Sequence, residues 1–105
     1  MRYRIIISSP AQYDLKEVKS YIARDSSLAA EKFANLLSSK IKILGMHPEI
    51  GRKVPNFQDP TVREIIVKSY RVIYKIDSLN KQIKILRYWH AARGVPKIRG
   101  CIHEE

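Results

Sequence analysis

The sequence predicts an α+β fold, a small twisted antiparallel sheet covered on one face by a helical hairpin. Three observations predict it. A short apolar run opens the chain at Tyr3–Ser8, two stretches with helical apolar spacing follow between Ser9 and Gly45, and alternating apolar and polar residues fill Val62 to His90. Apolar periods of 3.6 and 2 distinguish an amphipathic helix from a half-buried strand. The order is therefore β-α-α-β-β-β. Two helices can cover one face of such a sheet and leave the other incompletely shielded.

Each element has its own signal. Tyr3–Ser8 carries three consecutive isoleucines and reads as a buried strand. Ser9, Pro10 and Gln12 read as the cap, first position and capping-box residue of a helix whose apolar stripe is Ala11, Leu15, Val18 and Ile22. Asp14, Lys16, Glu17, Lys19 and Ser20 are placed elsewhere on its surface. Arg24–Ser27 breaks the pattern and supplies new caps. A longer helix is predicted from about Leu28 to Gly45, with Phe33, Leu37, Ile41 and Leu44 as its stripe and Gly45 and Pro48 as its stop. The short link makes the pair an antiparallel hairpin.

Pro48–Thr61, with its prolines and a glycine, is expected to be a connector, neither helix nor central strand. Connectors of this length are often functional, and this one carries Arg52 and Lys53. Three strands follow: Val62–Val67, Tyr70–Asp77 and Gln82 to Trp89 or His90. They are joined at Lys68-Ser69 and Ser78–Lys81 as an antiparallel meander. The domain spans residues 1–95, and 96–105 reads as a basic tail.

The charge is the unusual bulk property. Twenty Lys and Arg against ten Asp and Glu give +10 in 105 residues. A chain of this length forms one domain with a modest core, and this imbalance favours polyanionic partners. One cysteine, Cys101, rules out an intrachain disulfide and a cysteine-based metal site. His47, His90 and His103 lack metal-ligand spacing, so neither metal nor cofactor is expected. The N-terminal apolar run is far too short for a signal peptide or membrane span, and a cytoplasmic location without membrane association is expected.

No metalloprotease, P-loop, dinucleotide or nucleophile-elbow motif is present. One metal-free chemistry stays open, cleavage of RNA by its own 2′-hydroxyl. It requires an acid and a base for the two oxygens and cations for the phosphate. His90 could be acid or base, Arg71, Arg87 or Arg52 could hold phosphate, and Glu64 or Glu49 could orient. Strict alternation puts Ile83, Ile85, Arg87 and Trp89 on one face of the last strand and Lys84, Leu86, Tyr88 and His90 on the other. It puts Tyr70, Val72, Tyr74 and Ile76 together on the strand before. Neither face is purely apolar, so the pattern leaves inside and outside open. Each arginine read singly is a solvated strand residue. Arg71, Arg87 and His90 taken together, beside Arg52 and Arg93, favour a binding face.

The chain resembles the RelE/ParE toxins of bacterial type II toxin–antitoxin modules. The resemblance rests on Ser9-Pro10-Ala11 with Asp14-Leu15, Tyr21-Ile22, Ala30 with Phe33, Pro48-Glu49-Ile50-Gly51-Arg52 with Val54-Pro55, Arg63-Glu64, Tyr70-Arg71-Val72-Ile73-Tyr74, and Trp89-His90-Ala91-Ala92-Arg93. It runs from Ser8 to about Val95. It implies a cytoplasmic bacterial toxin held in an oligomer by an antitoxin whose acidic, partly disordered segment wraps the basic chain. ParE-like members inhibit DNA gyrase, whereas RelE-like members cut mRNA on the ribosome. The Pro-Glu-Ile-Gly-Arg segment and the His-Ala-Ala-Arg ending are closer to ParE, of the plasmid-stabilisation type. Some nucleolytic relatives place a His-Tyr pair at the end of the last strand. Here Ala91 follows His90, and no tyrosine follows Tyr88.

The resemblance therefore favours a gyrase inhibitor, with the ribosome-dependent endoribonuclease as alternative and a non-toxic antitoxin-binding relative as a third reading. For the endoribonuclease the candidate residues are His90, Arg71, Arg87 and Glu64. For target or antitoxin binding they are Arg52, Lys53, Arg63, Tyr70 and Arg71, with Tyr74, Arg87, Trp89 and Arg93.

Overall fold

A computed structural model describes residues 2–55 and 57–90. Arg93, Cys101, His103 and the tail at 96–105 lie outside the described residues. The elements are β1 (Arg4–Ile7), α1 (Ser9–Ala23), α2 (Ser27–Met46), a single 3-10 turn (Pro48–Ile50), β2 (Arg52–Lys53), β3 (Val62–Val67), β4 (Tyr70–Asp77) and β5 (Gln82–His90). The strands form one sheet in the order β1-β5-β4-β3-β2. The α+β class, the helical hairpin and the closing meander are as the sequence predicts.

The sheet is mixed. β2–β3, β3–β4 and β4–β5 pair antiparallel, whereas β1 runs parallel to β5, with Arg4 opposite Gln82 and Ile7 opposite Ile85. Parallel neighbours need a long crossover, which here is the whole chain from α1 to β4. β1 is an edge strand, and Ile6 is exposed, so its isoleucines are less buried than the apolar run suggests. The connector also has more structure than expected: the 3-10 turn and the two-residue edge strand β2.

The helix termini differ from the sequence reading by one residue, with physical consequences. Ser8, not Ser9, caps α1, its Oγ accepting from Ala11 N at 3.2 Å. Gln12 does not complete a capping box; its Nε2 donates to the Ile7 carbonyl at 3.0 Å. Ser26 caps α2 in the same way through Ala29 N. Gly45 lies inside α2 and does not end it. Its carbonyl accepts from Tyr3 N at 2.7 Å, and a Cβ there would sit 3.1 Å from the Tyr3 carbonyl. The glycine lets β1 dock against the helix.

The predicted stripes form the main core. Phe33, Leu37, Ile41 and Leu44 of α2 and Ala11 and Val18 of α1 pack on Val67, Val72, Tyr74, Ile83, Ile85 and Tyr88. A smaller cluster lies on the other face, where the connector folds back. Val54 and Phe57 cover Val62, Ile73, Leu86 and Trp89. Burial of each large apolar side chain contributes roughly 2 kcal/mol, and the second cluster makes the open face narrower than two helices alone predict.

A bulge decides which residues share a face. Ile73 pairs with Arg87 and Tyr74 with Ile85, so one residue of β5 is extra at Leu86. Such an insertion breaks strict alternation. Beyond the bulge Tyr88 joins Ile83 and Ile85 on the helix side, and Trp89 joins the opposite cluster. The grouping of Trp89 with Ile83 and of Tyr88 with Lys84, expected from unbroken alternation, is thereby corrected.

Candidate functional site

The open face is centred on Glu64, whose side chain is fully buried on β3. Its Oε1 lies 2.9 Å from Arg71 Nε, and its Oε2 is 2.7 Å from both Nε and Nη2 of Arg52. The sheet makes this meeting. Glu64 is opposite Arg52 on β2, and Arg71 lies two register positions away on β4, opposite Ile66 and on the same face. The Arg71 side chain is 11% exposed, that of Arg52 63%. The carboxylate thus holds one cation inside the sheet surface and one at its rim. A buried carboxylate and guanidinium stay charged only when paired this closely.

The short strand that presents Arg52 and Lys53 is fixed from the other face. The Tyr74 hydroxyl donates to the Pro48 carbonyl at 2.7 Å and accepts from Gly51 N at 3.0 Å. Arg63 Nη1 donates to the Gly51 carbonyl at 2.7 Å. Both backbone groups of Gly51 are therefore held by side chains of the sheet. Burial raises the Tyr74 pKa, so the phenol remains a donor at neutral pH. At the far end of the connector Asp59 accepts from Lys75 Nζ at 2.7 Å and from Thr61 N and Oγ1.

Arg87 points elsewhere. At the bulge it reaches α1, donating through Nε and Nη2 to the two Asp14 oxygens at 2.6 and 2.9 Å. Asp14 also accepts from Tyr88 N at 3.1 Å. β1 ends opposite Ile85, so Asp14 takes over the edge amide that a longer β1 would have bonded. The guanidinium also lies 4.9 Å from the centroid of the Trp89 ring. The hydrogen bond that Arg87 donates to Asp14 raises the Arg87 pKa, and burial followed by the Asp14 charge pushes Tyr88 up to about 12. Asp14, assigned by sequence to the helix surface, is 11% exposed and ties α1 to the sheet. Sequence offers no signal for a partner so far along the chain.

The sequence-predicted residues therefore fall into separate groups. Arg52, Glu64 and Arg71 meet on the open face with Trp89 on the same side, while Lys53, exposed and in register with Arg63, belongs to the opposite face. Tyr74 and Arg63 support the connector. Tyr70 and His90 pair across β4–β5 on the helix side, their rings 5.1 Å apart, and Tyr70 packs on Phe33 of α2. His90 and Glu64 thus occupy opposite faces. Glu49 is exposed on the 3-10 turn. Among the described residues no group of His, Cys, Asp and Glu could hold a metal, and no helix is long and apolar enough to cross a membrane.

Comparison with known proteins places this arrangement. A family model described as the ParE toxin of the type II toxin–antitoxin system parDE matches residues 5–95. Toxin RelE2 of Caulobacter vibrioides is 37% identical over 82 residues, covering 76% of this chain and 85% of the relative. The fold is similar to the chromosomal ParDE system of P. aeruginosa (TM-score 0.69, 19% identity, 85% of this chain and 96% of that one). It is also similar to the RelBE2 toxin–antitoxin complex of Mycobacterium tuberculosis (TM-score 0.59, 22% identity, 86% and 99%). A doubly substituted E. coli RelE in the free state gives a TM-score of 0.62 at 16% identity, over 90% and 88% of the two chains. The chain belongs to the ParE toxin family, within the RelE/ParE superfamily of type II toxin–antitoxin toxins.

Proposed function

We propose that this toxin acts in the bacterial cytoplasm by binding a protein target, DNA gyrase, without cutting RNA, and that an antitoxin neutralises it. The observation that carries this reading is the separation of the candidate acid–base group from the candidate phosphate-holding cations. His90 stands on the helix side with Tyr70, while Arg71 and Arg52 stand on the open face. Strand cleavage through the 2′-hydroxyl needs the proton-transfer group and the phosphate cations within hydrogen-bond reach of one phosphodiester. The cations are also spoken for: Glu64 holds Arg52 and Arg71, and Asp14 holds Arg87. A rim with exposed Arg52, next to Trp89 and a small apolar cluster, suits a protein surface.

The +10 charge supports an acidic antitoxin segment as the neutralising partner, bound in a toxin–antitoxin oligomer. Its affinity should fall with salt. The endoribonuclease stays as a second reading because the Caulobacter relative carries the name RelE2. Purified toxin assayed against gyrase supercoiling and against ribosome-bound mRNA separates the readings. Inhibited supercoiling with intact mRNA is expected. Codon-linked mRNA cuts lost in His90→Ala would establish the second reading, and activity in neither assay would leave a chain that only binds antitoxin.

A further inference from the structure

We propose that a cleft between α1 and the ends of β4 and β5 is a binding site for an organic cation, a guanidinium or alkylammonium group. The cleft has a volume of about 300 Å³ and is lined by Asp14, Glu17, Tyr21, Tyr70, Tyr88 and His90, with Val18 at its floor. It is distinct from the open face that carries Arg52, Glu64 and Arg71.

Three features point to a cation. The first is charge. The chain carries 20 Lys and Arg, yet among the described lining residues none is Lys or Arg, His90 is the one imidazole, and two are carboxylates. Arg87 engages Asp14 from outside the cleft lining, leaving Glu17, which is exposed, as its charge toward solvent. An anion has every reason to bind elsewhere on this protein. The second is the rings. Tyr21, Tyr70 and Tyr88 present aromatic surface around one opening, and a cation over several such faces is held by their quadrupoles.

The third is Tyr88. The residue is 3% exposed, yet among the described residues its hydroxyl makes no hydrogen bond, and Asp14's charge acts on it. The hydroxyl is not sealed from solvent and opens on the cleft, where a bound donor would meet it. A guanidinium or ammonium in the cleft would donate to its oxygen while the carboxylates balance the charge.

The cation has two sources, a free small molecule or a basic side chain of a bound partner protein. Agmatine, a guanidinium on a short alkyl chain, is the probe. Binding to the full chain, followed by ring shifts of labelled tyrosines, should show a dissociation constant of order 1 mM. The neutral isostere N-butylurea should not bind. Glu17→Gln lies on an exposed helix position and should fold normally; it and Tyr88→Phe should each weaken agmatine by about fivefold. Displacement of agmatine by saturating antitoxin would identify a partner's basic side chain as the source, and unchanged binding to the toxin–antitoxin complex would identify a free cation. Absence of shifts at Tyr21, Tyr70 and Tyr88, or equal binding of N-butylurea, or full affinity in Glu17→Gln would overturn the site.

Discussion

Arg71 on β4 reaches across to Glu64 on β3, its Nε 2.9 Å from a carboxylate that has no exposure to water. The pair is the centre of the open face, and Arg52 binds the second oxygen of the same group. Breaking such a pair from one side leaves a buried charge without compensation. Glu64→Gln should therefore destabilise the fold by about 3 kcal/mol, nearly all of it through Arg71, because the exposed Arg52 partnership contributes little. Urea unfolding of the variant, and of Glu64→Gln with Arg71→Met, checks this. The double variant should recover much of the loss, and a single variant within 1 kcal/mol of the parent, taken as about the noise of a surface change, would contradict it.

Gly51 has no room for a side chain. A Cβ there would meet the Tyr74 hydroxyl, the Glu64 carbonyl at 2.7 Å and Tyr74 Cε1 at 2.9 Å. Gly51→Ala should cost about 2 kcal/mol and push Arg52 off Glu64. Tyr74→Phe should cost about 1.5 kcal/mol, since the Gly51 amide and Pro48 carbonyl both lose their partner. Because the two substitutions share one contact, they should not add. Thermal unfolding of both singles and the double measures the coupling, and strict additivity would show that the tyrosine does not clamp the glycine.

These contacts mark the limit of what the sequence conveys. The helix stripes Phe33-Leu37-Ile41-Leu44 and Ala11-Val18 were legible because an amphipathic period is local. The meander was legible for the same reason. The parallel pairing of β1 with β5 was not, because it depends on a crossover of most of the chain. The bulge at Leu86 was hidden as well, and it alone moves Tyr88 and Trp89 to the faces opposite those that alternation gives them. Candidate cations could be picked from sequence, but not their neutralising partners. Asp14 looks like any helix-surface acid until α1 is laid across the end of β5. Gly51 read as a loop residue, and only the position of the Tyr74 hydroxyl explains it.

Acid should loosen the connector first. Burial of Asp59 would raise its pKa, but hydrogen bonds from Lys75 and Thr61 outweigh this and lower it from 3.8 to about 2. A carboxylate depressed in the fold stabilises it at pH values above the unfolded pKa. The contribution is then lost as pH falls from about 5 toward 2. Water reaches the Lys75–Asp59 pair, whose side chains are 31% and 18% exposed, so the effect is about 1 kcal/mol rather than the full value of the shift. Stability of Asp59→Asn measured between pH 6 and pH 3, a window of about these limits, should fall less steeply than that of the parent. Parallel curves would remove Asp59 from the acid response.

The opposite end of the pH scale tests the tie between α1 and β5. Burial first and the Asp14 charge second push Tyr88 up to about 12 from 10.0. A phenol whose pKa is raised by folding stabilises the fold fully below its unfolded pKa, and this is lost as pH rises through 10.0 toward 12. Asp14→Asn removes the second cause and leaves the first. The Tyr88 pKa should drop while staying above the ordinary tyrosine value, because the ring is still buried among Val18, Tyr70 and the strands. The same variant frees Arg87 and leaves the Tyr88 amide with a weaker acceptor, destabilising the protein by about 2 kcal/mol. Titration of ring-labelled tyrosine by NMR reads the pKa, and urea unfolding at neutral pH reads the stability. An unmoved Tyr88 pKa would mean that the Asp14 charge does not reach the phenol. An unchanged stability would mean that the Arg87 pair is a surface contact, contrary to its burial.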